Sequence, residues 1–294
     1  ATLRAETLDQ RHVAADARWL VHLDLDAVRE GESARHLVGA WLRAEPVRSQ
    51  LVGIREAIGL DVVKDLRAAT LYGHELVPDR GVLIVHAPID ESRLMAFLTQ
   101  QPNFAQQTQE GRNVLTWTER RGGQNHTVFG AIHQQQRMIF SQNEADLAAA
   151  LAVLDGKAAS LAEQDSPLKG AAPEGAVLLI RASGLSEAKL ALKSPILRLS
   201  ETLALTAGEH GAAAFVEVRL TAASEEHVAE FRDVATGLIA LAKLMRENDK
   251  DVLNLLNAIA IRTEDRTITA RWSGQLVDVI KAVENEQLRN HATD

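Results

Sequence analysis

Three residues with metal-binding side chains, His22, Asp24 and Asp26, alternate along the run Val-His-Leu-Asp-Leu-Asp. Alternate residues of a strand point to the same face, so one imidazole and two carboxylates would lie side by side. Such a set could bind a divalent metal and support a metal-assisted hydrolase. In the structural alternative, Asp26 caps a following helix, while His22 and Asp24 lie on the polar face of a half-buried strand. The sequence favours the structural alternative.

A second group of polar side chains, Tyr72, His74, Asp79 and His86, lies on or near a predicted hairpin. His74 and Asp79 fall in its loop, where polar residues are expected for solvation alone. A general acid or base needs a partner within hydrogen-bonding distance, and the spacing here indicates none.

Signatures of the common catalytic classes are absent from the sequence. The chain has no cysteine, which excludes disulfides, thiolate zinc sites, iron–sulfur clusters and thiol catalysis. It has no glycine-rich dinucleotide fingerprint, no phosphate loop and no nucleophile elbow. His126 and His133 are seven residues apart in a strand, so they are expected on opposite faces. We therefore expect no catalytic residues, no cofactor and no metal ligands, and a non-catalytic protein is favoured over an enzyme.

The charge of the chain bears on its partners. A net charge of −8, with the positive residues scattered among acids, argues against nucleic acid, which is bound mainly through Lys and Arg. No apolar run approaches the roughly 20 residues that span a bilayer. A protein partner is expected instead, and a homo-oligomer is possible. Trp117, in a strand rich in Thr and Arg, is either packed in the core, which we favour, or an exposed aromatic anchor for a partner.

The chain also resembles itself. The hairpin Thr127–Ser141 and the helix after it match the segment that begins at Ala258, with a constant offset of 129 residues and no gap. This offset aligns Arg137 with Arg266, and it aligns the apolar helix face of Leu147, Leu151 and Leu154 with Leu276, Ile280 and Val283. A repeat of this kind predicts two similar units, and duplication explains the matches better than shared generic patterning.

The predicted fold class is α+β, with two similar tandem halves. Each half is expected to be a mostly antiparallel sheet with helices packed on one face. The first repeat is predicted over residues 1–158 and the second over 176–294. A linker over 159–175, rich in Gly, Ala, Ser and Pro, joins them. His22 and Asp24 correspond to Leu179 and Arg181 in the second half, so a metal site there would not be repeated.

Four short segments resemble uncharacterised exported bacterial proteins of the Planctomycetes and Verrucomicrobia type: Ala17–Asp26, Gly59–Leu66, Thr70–Gly73 and Leu154–Lys157. The resemblance covers most of the first half and carries no known chemistry. It implies export to the periplasm or beyond, with a cytoplasmic location as the alternative. The chain begins at Ala1 without an initiator Met, as after signal-peptide cleavage, Met removal or trimming.

These observations favour a non-catalytic, exported binding or scaffold protein that contacts its partner through an exposed face of its sheets. Two alternatives stay open. One is a metal-assisted hydrolase centred on His22 and Asp24. The other is a carrier of a small ligand with a pocket between the halves.

Overall fold

The computed structural model describes residues 8–31, 35, 39, 42, 44–45, 47–77, 80–109, 111–187, 195–211, 213–275 and 277–279. The chain divides into two compact units. The first unit contains Ala1–Ala27 and Gly39–Ala172, and the second contains Val28–Val38 and Pro173–Asp294. The α+β class with antiparallel sheets is confirmed in both.

The strands of the first unit form one antiparallel sheet in the order β1-β2-β3-β7-β6-β5-β4. They are β1 Trp19–Asp24, β2 Ala68–Gly73, β3 Val82–His86, β4 Ala105–Gln109, β5 Arg112–Arg121, β6 Gln124–His133 and β7 Arg137–Ser141. The helices are α1 Leu25–Glu30, α2 Val47–Ile58, α3 Val62–Asp65, α4 Glu91–Leu98 and α5 Glu144–Leu154. Asp90 caps α4 through a bond that its carboxylate accepts from Arg93 N at 3.1 Å.

Helix α5 and the short 3-10 helix Gln10–His12 cover the first face of this sheet. Alternate strand residues on this face, including Leu20, Ile84 and Ile139, are fully buried against Leu147 of α5. Burial of one such side chain contributes about 1.5–3 kcal/mol, so this cluster is the main core of the unit.

Helix α4 covers only part of the opposite face, which we call the second face. Leu94 and Leu98 of α4 pack there against Leu115 of β5 and Met138 of β7. Leu71 of β2 lies on the same face and is 37% exposed. The part of the second face that α4 leaves open therefore carries apolar side chains.

Most of the predicted linker over residues 159–175 belongs to the first unit, and two of its leucines lie in the core of that unit. Leu161 and Leu168 are buried, and Leu161 N donates to Val13 O at 2.8 Å. Ser160 forms an antiparallel bridge with Ala14. Small and turn-forming residues dominate the composition of this segment, but the two leucines decide its placement because their burial is favourable.

The strands of the second unit form an antiparallel sheet in the order β8-β9-β10-β12-β11. They are β8 Ala176–Ser183, β9 Ser200–His210, β10 Ala213–Ala222, β11 Ala260–Glu264 and β12 Thr267–Gln275. Its helices are α6 Pro195–Arg198, α7 Glu226–Met245 and α8 Lys250–Asn257. Helix α7 packs Phe231 against Ala222 and Ile268 of the sheet.

The C-terminal half of α7 carries an exposed apolar stripe. Leu238, Leu241, Leu244 and Met245 recur at helical spacing and are each more than half exposed. Large exposed apolar side chains that form a patch are uncommon on monomeric proteins. This stripe contributes little to the core of the second unit, which relies on Phe231 nearer the start of the helix.

The two units share a strand order. In each, the first three strands lie side by side in sequence order, and the last strand of a hairpin (β7 or β12) pairs with the third. The matched hairpin predicted from the offset of 129 corresponds to β6–β7 and β11–β12. Common ancestry stays a prediction, because the same order can arise from similar packing alone. The aligned helix residues Leu276, Ile280 and Val283 lie outside the described residues.

Candidate functional site

His22 and Asp24 lie on the buried face of β1, next to Leu20. They are 3% and 2% exposed, so the prediction that they occupy a polar face of a half-buried strand is wrong. His22 Nδ1 lies 2.9 Å from Thr70 Oγ1 on the neighbouring strand. This hydrogen bond accommodates the Nδ1 atom of His22 inside the protein, as burial of a polar atom requires.

The predicted cap at Asp26 is also corrected. Strand β1 ends at Asp24, so α1 begins at Leu25, and Asp24 accepts the bond from Ala27 N at 2.8 Å. Asp26 lies within α1 and contacts Arg67, with 3.1 Å between Arg67 Nε and its Oδ2. Across the described ranges, no group of three or more His, Asp and Glu side chains could hold a metal ion. The hydrolase hypothesis therefore has no ligand set in that part of the chain.

The second group of candidates is divided between two environments. Tyr72 and His86 are buried in the main core, and burial raises the pKa of Tyr72. His74 Nε2 lies 3.2 Å from Arg80 Nη2, outside that core. Asp79 lies outside the described residues. Tyr72 and His86 in the core are therefore apart from His74 in the loop, and these three described residues do not come together as one site.

His126 and His133 do lie on opposite faces of β6, as predicted. His133 is buried on the first face, whereas His126 is separated from it by an odd number of residues and is half-buried. The two imidazoles therefore cannot share a ligand.

The open part of the second face forms a trough with a volume of about 560 Å³, entirely within the first unit. Its floor is a lateral row of apolar residues in which Leu71 pairs with Leu83 and Leu83 pairs with Phe140. Val77, in the loop after β2, is 45% exposed at its edge. Ligand pockets typically measure about 300–1,000 Å³ and are mostly apolar, so the trough has the size and character of one.

A tryptophan stands at each end of this floor. The ring of Trp19 lies over Gly81, where an added Cβ would be 3.1 Å from Trp19 Cη2. The ring of Trp117 lies over Gly130, where an added Cβ would be 3.0 Å from Trp117 Cη2. Trp117 also meets Phe140 edge-on, with 6.1 Å between ring centroids. The glycines thus leave room for both indole rings to lie close to the sheet.

Trp117 is packed and not exposed. Only 5% of it is accessible, and its ring contributes to the cluster beneath α4. This outcome matches the favoured interpretation of the sequence and excludes the exposed-anchor alternative. Trp117 nevertheless lines the trough, as a wall whose position is fixed by its neighbours.

Most polar groups at the rim already have protein partners. Trp19 Nε1 donates to Glu75 O at 2.7 Å, and Trp117 Nε1 donates to Glu119 Oε1 at 3.3 Å. Arg80 forms a two-pronged ion pair with Asp146, with distances of 3.0 and 3.1 Å. This hydrogen-bonded carboxylate raises the pKa of Arg80, which stays charged.

Arg121 is the rim cation most open to solvent. Its side chain is 71% exposed, and its Nη2 is 3.5 Å from Glu119 Oε2. A long and weakly held ion pair of this kind exchanges partners readily, because exposed pairs are worth at most about 1 kcal/mol. Arg121 could therefore reach an anionic group at the mouth of the trough.

Sequence inspection alone missed the trough. Trp19, Leu71 and Leu83 alternate with buried residues, but the sequence does not say which strands are neighbours. A usable signal was present in Gly73, Gly81 and Gly130, since glycine inside or beside a strand often marks the close approach of another group.

Comparison with known proteins identifies the fold and nothing more specific. No protein-family model matches the chain, and no curated protein matches it. Crystal form III of TP0453 superposes with a TM-score of 0.52 at 9% identity, covering 95% of this chain and 99% of that chain. Crystal form IV gives a TM-score of 0.51 at 8% identity, covering 95% and 97%. At such identity the likeness concerns the fold alone.

The sequence predicts no segment that is long and apolar enough to span a bilayer. Within the described part of the chain, no helix combines the length and apolar character needed to cross a membrane.

Proposed function

We propose that the protein is a non-catalytic binding protein and that the trough of the first unit holds an apolar ligand. The observation that carries this proposal is the uncovered apolar floor between Trp19 and Trp117. The floor from Leu71 on β2 to Phe140 on β7 crosses two strand spacings, or ~10 Å at about 4.8 Å per strand. An elongated hydrocarbon or aromatic body would fit this length.

The trough supports binding better than catalysis. Ser141 is the hydroxyl within its lining, and its Oγ donates to Gly81 O at 2.9 Å while accepting from Asn143 N at 3.1 Å. An activated nucleophile needs a base to take its proton, whereas here the proton is held by a carbonyl oxygen. His74 is engaged with Arg80. The polar groups of the rim thus stabilise the walls.

The chemistry of the lining suggests an amphipathic acid as the ligand. Both indole N–H groups are committed to protein acceptors, so the rings offer apolar surface. Affinity would come from burial, at about 25 cal/mol per Å² of apolar surface removed from water. Arg121 at the rim would attract a carboxylate at one end of the ligand. Saturated fatty acids are the simplest molecules with both features.

The proposal is tested by titrating the purified chain with saturated fatty acids of increasing length. The expected result is a rise in melting temperature together with a change in tryptophan fluorescence, because binding to the folded state stabilises it. Displacement of anilinonaphthalene sulfonate by the same acids gives the affinity. No response to any chain length would overturn the proposal.

A matched pair of variants locates the site. Leu71→Glu places a charge on the floor of the trough, and Val63→Glu places one on α3, at a site of similar exposure (37% and 43%). We expect Leu71→Glu to weaken binding by about tenfold or more, equivalent to at least ~1.4 kcal/mol. Val63→Glu should bind like the unmodified chain. Equal effects of both substitutions would place the ligand elsewhere.

Export is also part of the proposal, and it is supported by the resemblance of the four short segments. Fractionation of native cells tests it separately: recovery from the periplasmic or extracellular fraction is expected, and recovery from the cytoplasm alone would contradict it.

A further inference from the structure

One face of the sheet of the second unit is polar over β10, β11 and β12, apart from Phe215. Leu220, Ala222 and Ile268 face α7, so the alternating residues of β10 and β12 face the other way. On that opposite face lies a shallow depression with a volume of about 700 Å³, lined by charged and hydroxyl side chains. No described helix of the second unit packs its apolar residues there.

Three arginines fall in one lateral row across this face. Arg181 pairs with Ala204, Ala204 with Arg219, Arg219 with Thr269, and Thr269 with Arg262. Directly opposed residues share a face, so the row alternates arginine with a small residue. Successive arginines are two strand spacings apart, or ~10 Å.

A fourth arginine, Arg271, lies beside the row and is held in place. Glu217 is bound by both neighbours, with 2.6 Å from Arg219 Nη2 and 3.3 Å from Arg271 Nη1. The Arg271 guanidinium also lies 5.7 Å from the ring centroid of Phe215. Arg219 and Arg271 remain 59% and 58% exposed, so their other N–H groups stay available to a ligand.

The charge of this face is opposite to that of the whole chain. This face carries the four arginines, two acids of the strands (Glu217 and Glu264) and one acid of the adjoining turn (Asp265). The net charge of these side chains is therefore 4 − 3 = +1. The whole chain carries −8. Burial, and secondarily the positive charge of Arg219, lower the pKa of Arg181, so an anion between the two would relieve repulsion.

We propose that this arginine row is a binding site for a ligand that carries two or more phosphate or sulfate groups. The planar guanidinium donates two parallel bonds to such an oxyanion, and hydroxyls beside the row, such as Thr269, can donate further bonds. Spacing by ~10 Å favours a ligand whose anionic groups reach two arginines at once. The site is separate from the trough of the first unit.

Calorimetric titration of the full chain tests this proposal with tripolyphosphate, dextran sulfate and orthophosphate as probes. At least one multivalent probe is expected to bind at least about tenfold more tightly than orthophosphate, because two arginines are engaged together. The multivalent probe that binds more tightly shows whether phosphate or sulfate is the preferred anionic group. Failure of both multivalent probes, or affinity no better than that of orthophosphate, would overturn the proposal.

Four substitutions sharpen the test. Arg262 is exposed and has no hydrogen-bond or ion-pair partner among the described residues, so Arg262→Gln should leave the fold intact. We expect it to weaken multivalent binding about tenfold, and Arg262→Lys to restore part of the loss through charge alone. Arg232→Gln, on α7 and 60% exposed, should change nothing. Equal affinities of Arg262→Gln and Arg232→Gln would refute the assignment, and Leu71→Glu should bind these anions normally.

Discussion

Lowering the pH from 6.5 to 4 should destabilise the protein in part through a half-buried histidine, His12. Its side chain is 17% exposed, it lies next to His86 with 5.8 Å between ring centroids, and Arg137 is nearby. Burial, and then the positive charge of Arg137, lower the pKa of His12 from 6.5 to about 4. Its Nδ1 is buried without a hydrogen-bond partner among the described residues, so a proton there would gain nothing.

The sign and size of the effect follow from proton linkage. Between pH 6.5 and 4 the unfolded chain binds a proton at His12, whereas the folded chain does not. The free energy of unfolding therefore falls as the pH falls. A shift of about 2.5 units corresponds to ~3.4 kcal/mol at 1.36 kcal/mol per unit. Solvent screening of a group that is not fully buried reduces this, and we expect about 2 kcal/mol.

Urea unfolding at pH values across this window measures the effect. His12→Leu removes the titrating group and should flatten the dependence by about 2 kcal/mol, relative to the unmodified chain. His227→Leu, at a half-buried position of α7, is the control, and the difference between the two variants isolates the contribution of His12. Asp9 contributes little to the change between pH 6.5 and 4. A hydrogen bond from Arg11 lowers the pKa of Asp9 to about 2, so the stability that this carboxylate contributes is lost below pH 4. An unchanged slope in His12→Leu would refute the reasoning.

Five further substitutions test the packing and the cap of α1. Leu161→Ala, in the predicted linker, should cost about 2–5 kcal/mol in urea unfolding because the side chain is fully buried, whereas exposed Gln164→Ala should stay within about 0.5 kcal/mol. Asp24→Ala should lower the free energy of unfolding by at least about 1 kcal/mol, because the cap of α1 is lost. Elemental analysis should show no change in bound metal, and a loss of stoichiometric metal would contradict the structural role of Asp24. On α7, Phe231→Ala should cost about 3–5 kcal/mol in thermal or urea unfolding, whereas Leu238→Glu, at a side chain that is 58% exposed, should cost little.

Local sequence patterns predicted the elements of the fold better than they predicted the environments of polar residues. The alternating strand β1 was recognised, but its end was placed one residue too late, which moved the cap from Asp24 to Asp26. The polarity of His22 suggested a solvated face, whereas the fold pairs it with Thr70 inside the core. Strand periodicity identifies two faces but does not say which one the helices cover.

The candidate site could not be predicted for a related reason. The floor of the trough joins residues from strands that are distant in sequence, such as Leu71 and Phe140, and their adjacency depends on β7 inserting between β3 and β6. The arginine row likewise exists only through the lateral register of four strand pairs. Such register depends on the whole sheet and not on any one segment.

The close contact between each tryptophan ring and a glycine limits which substitutions this chain can accept during evolution. Any side chain at position 130 would press on Trp117, since even a Cβ would come within 3.0 Å of its ring. A larger residue there becomes tolerable only after the indole has been replaced by something smaller. Positions 117 and 130 should therefore co-vary among related chains, and the same holds for positions 19 and 81. A lineage in which a larger residue replaces one of these glycines is therefore expected to lose the tryptophan that forms the wall of the trough as well.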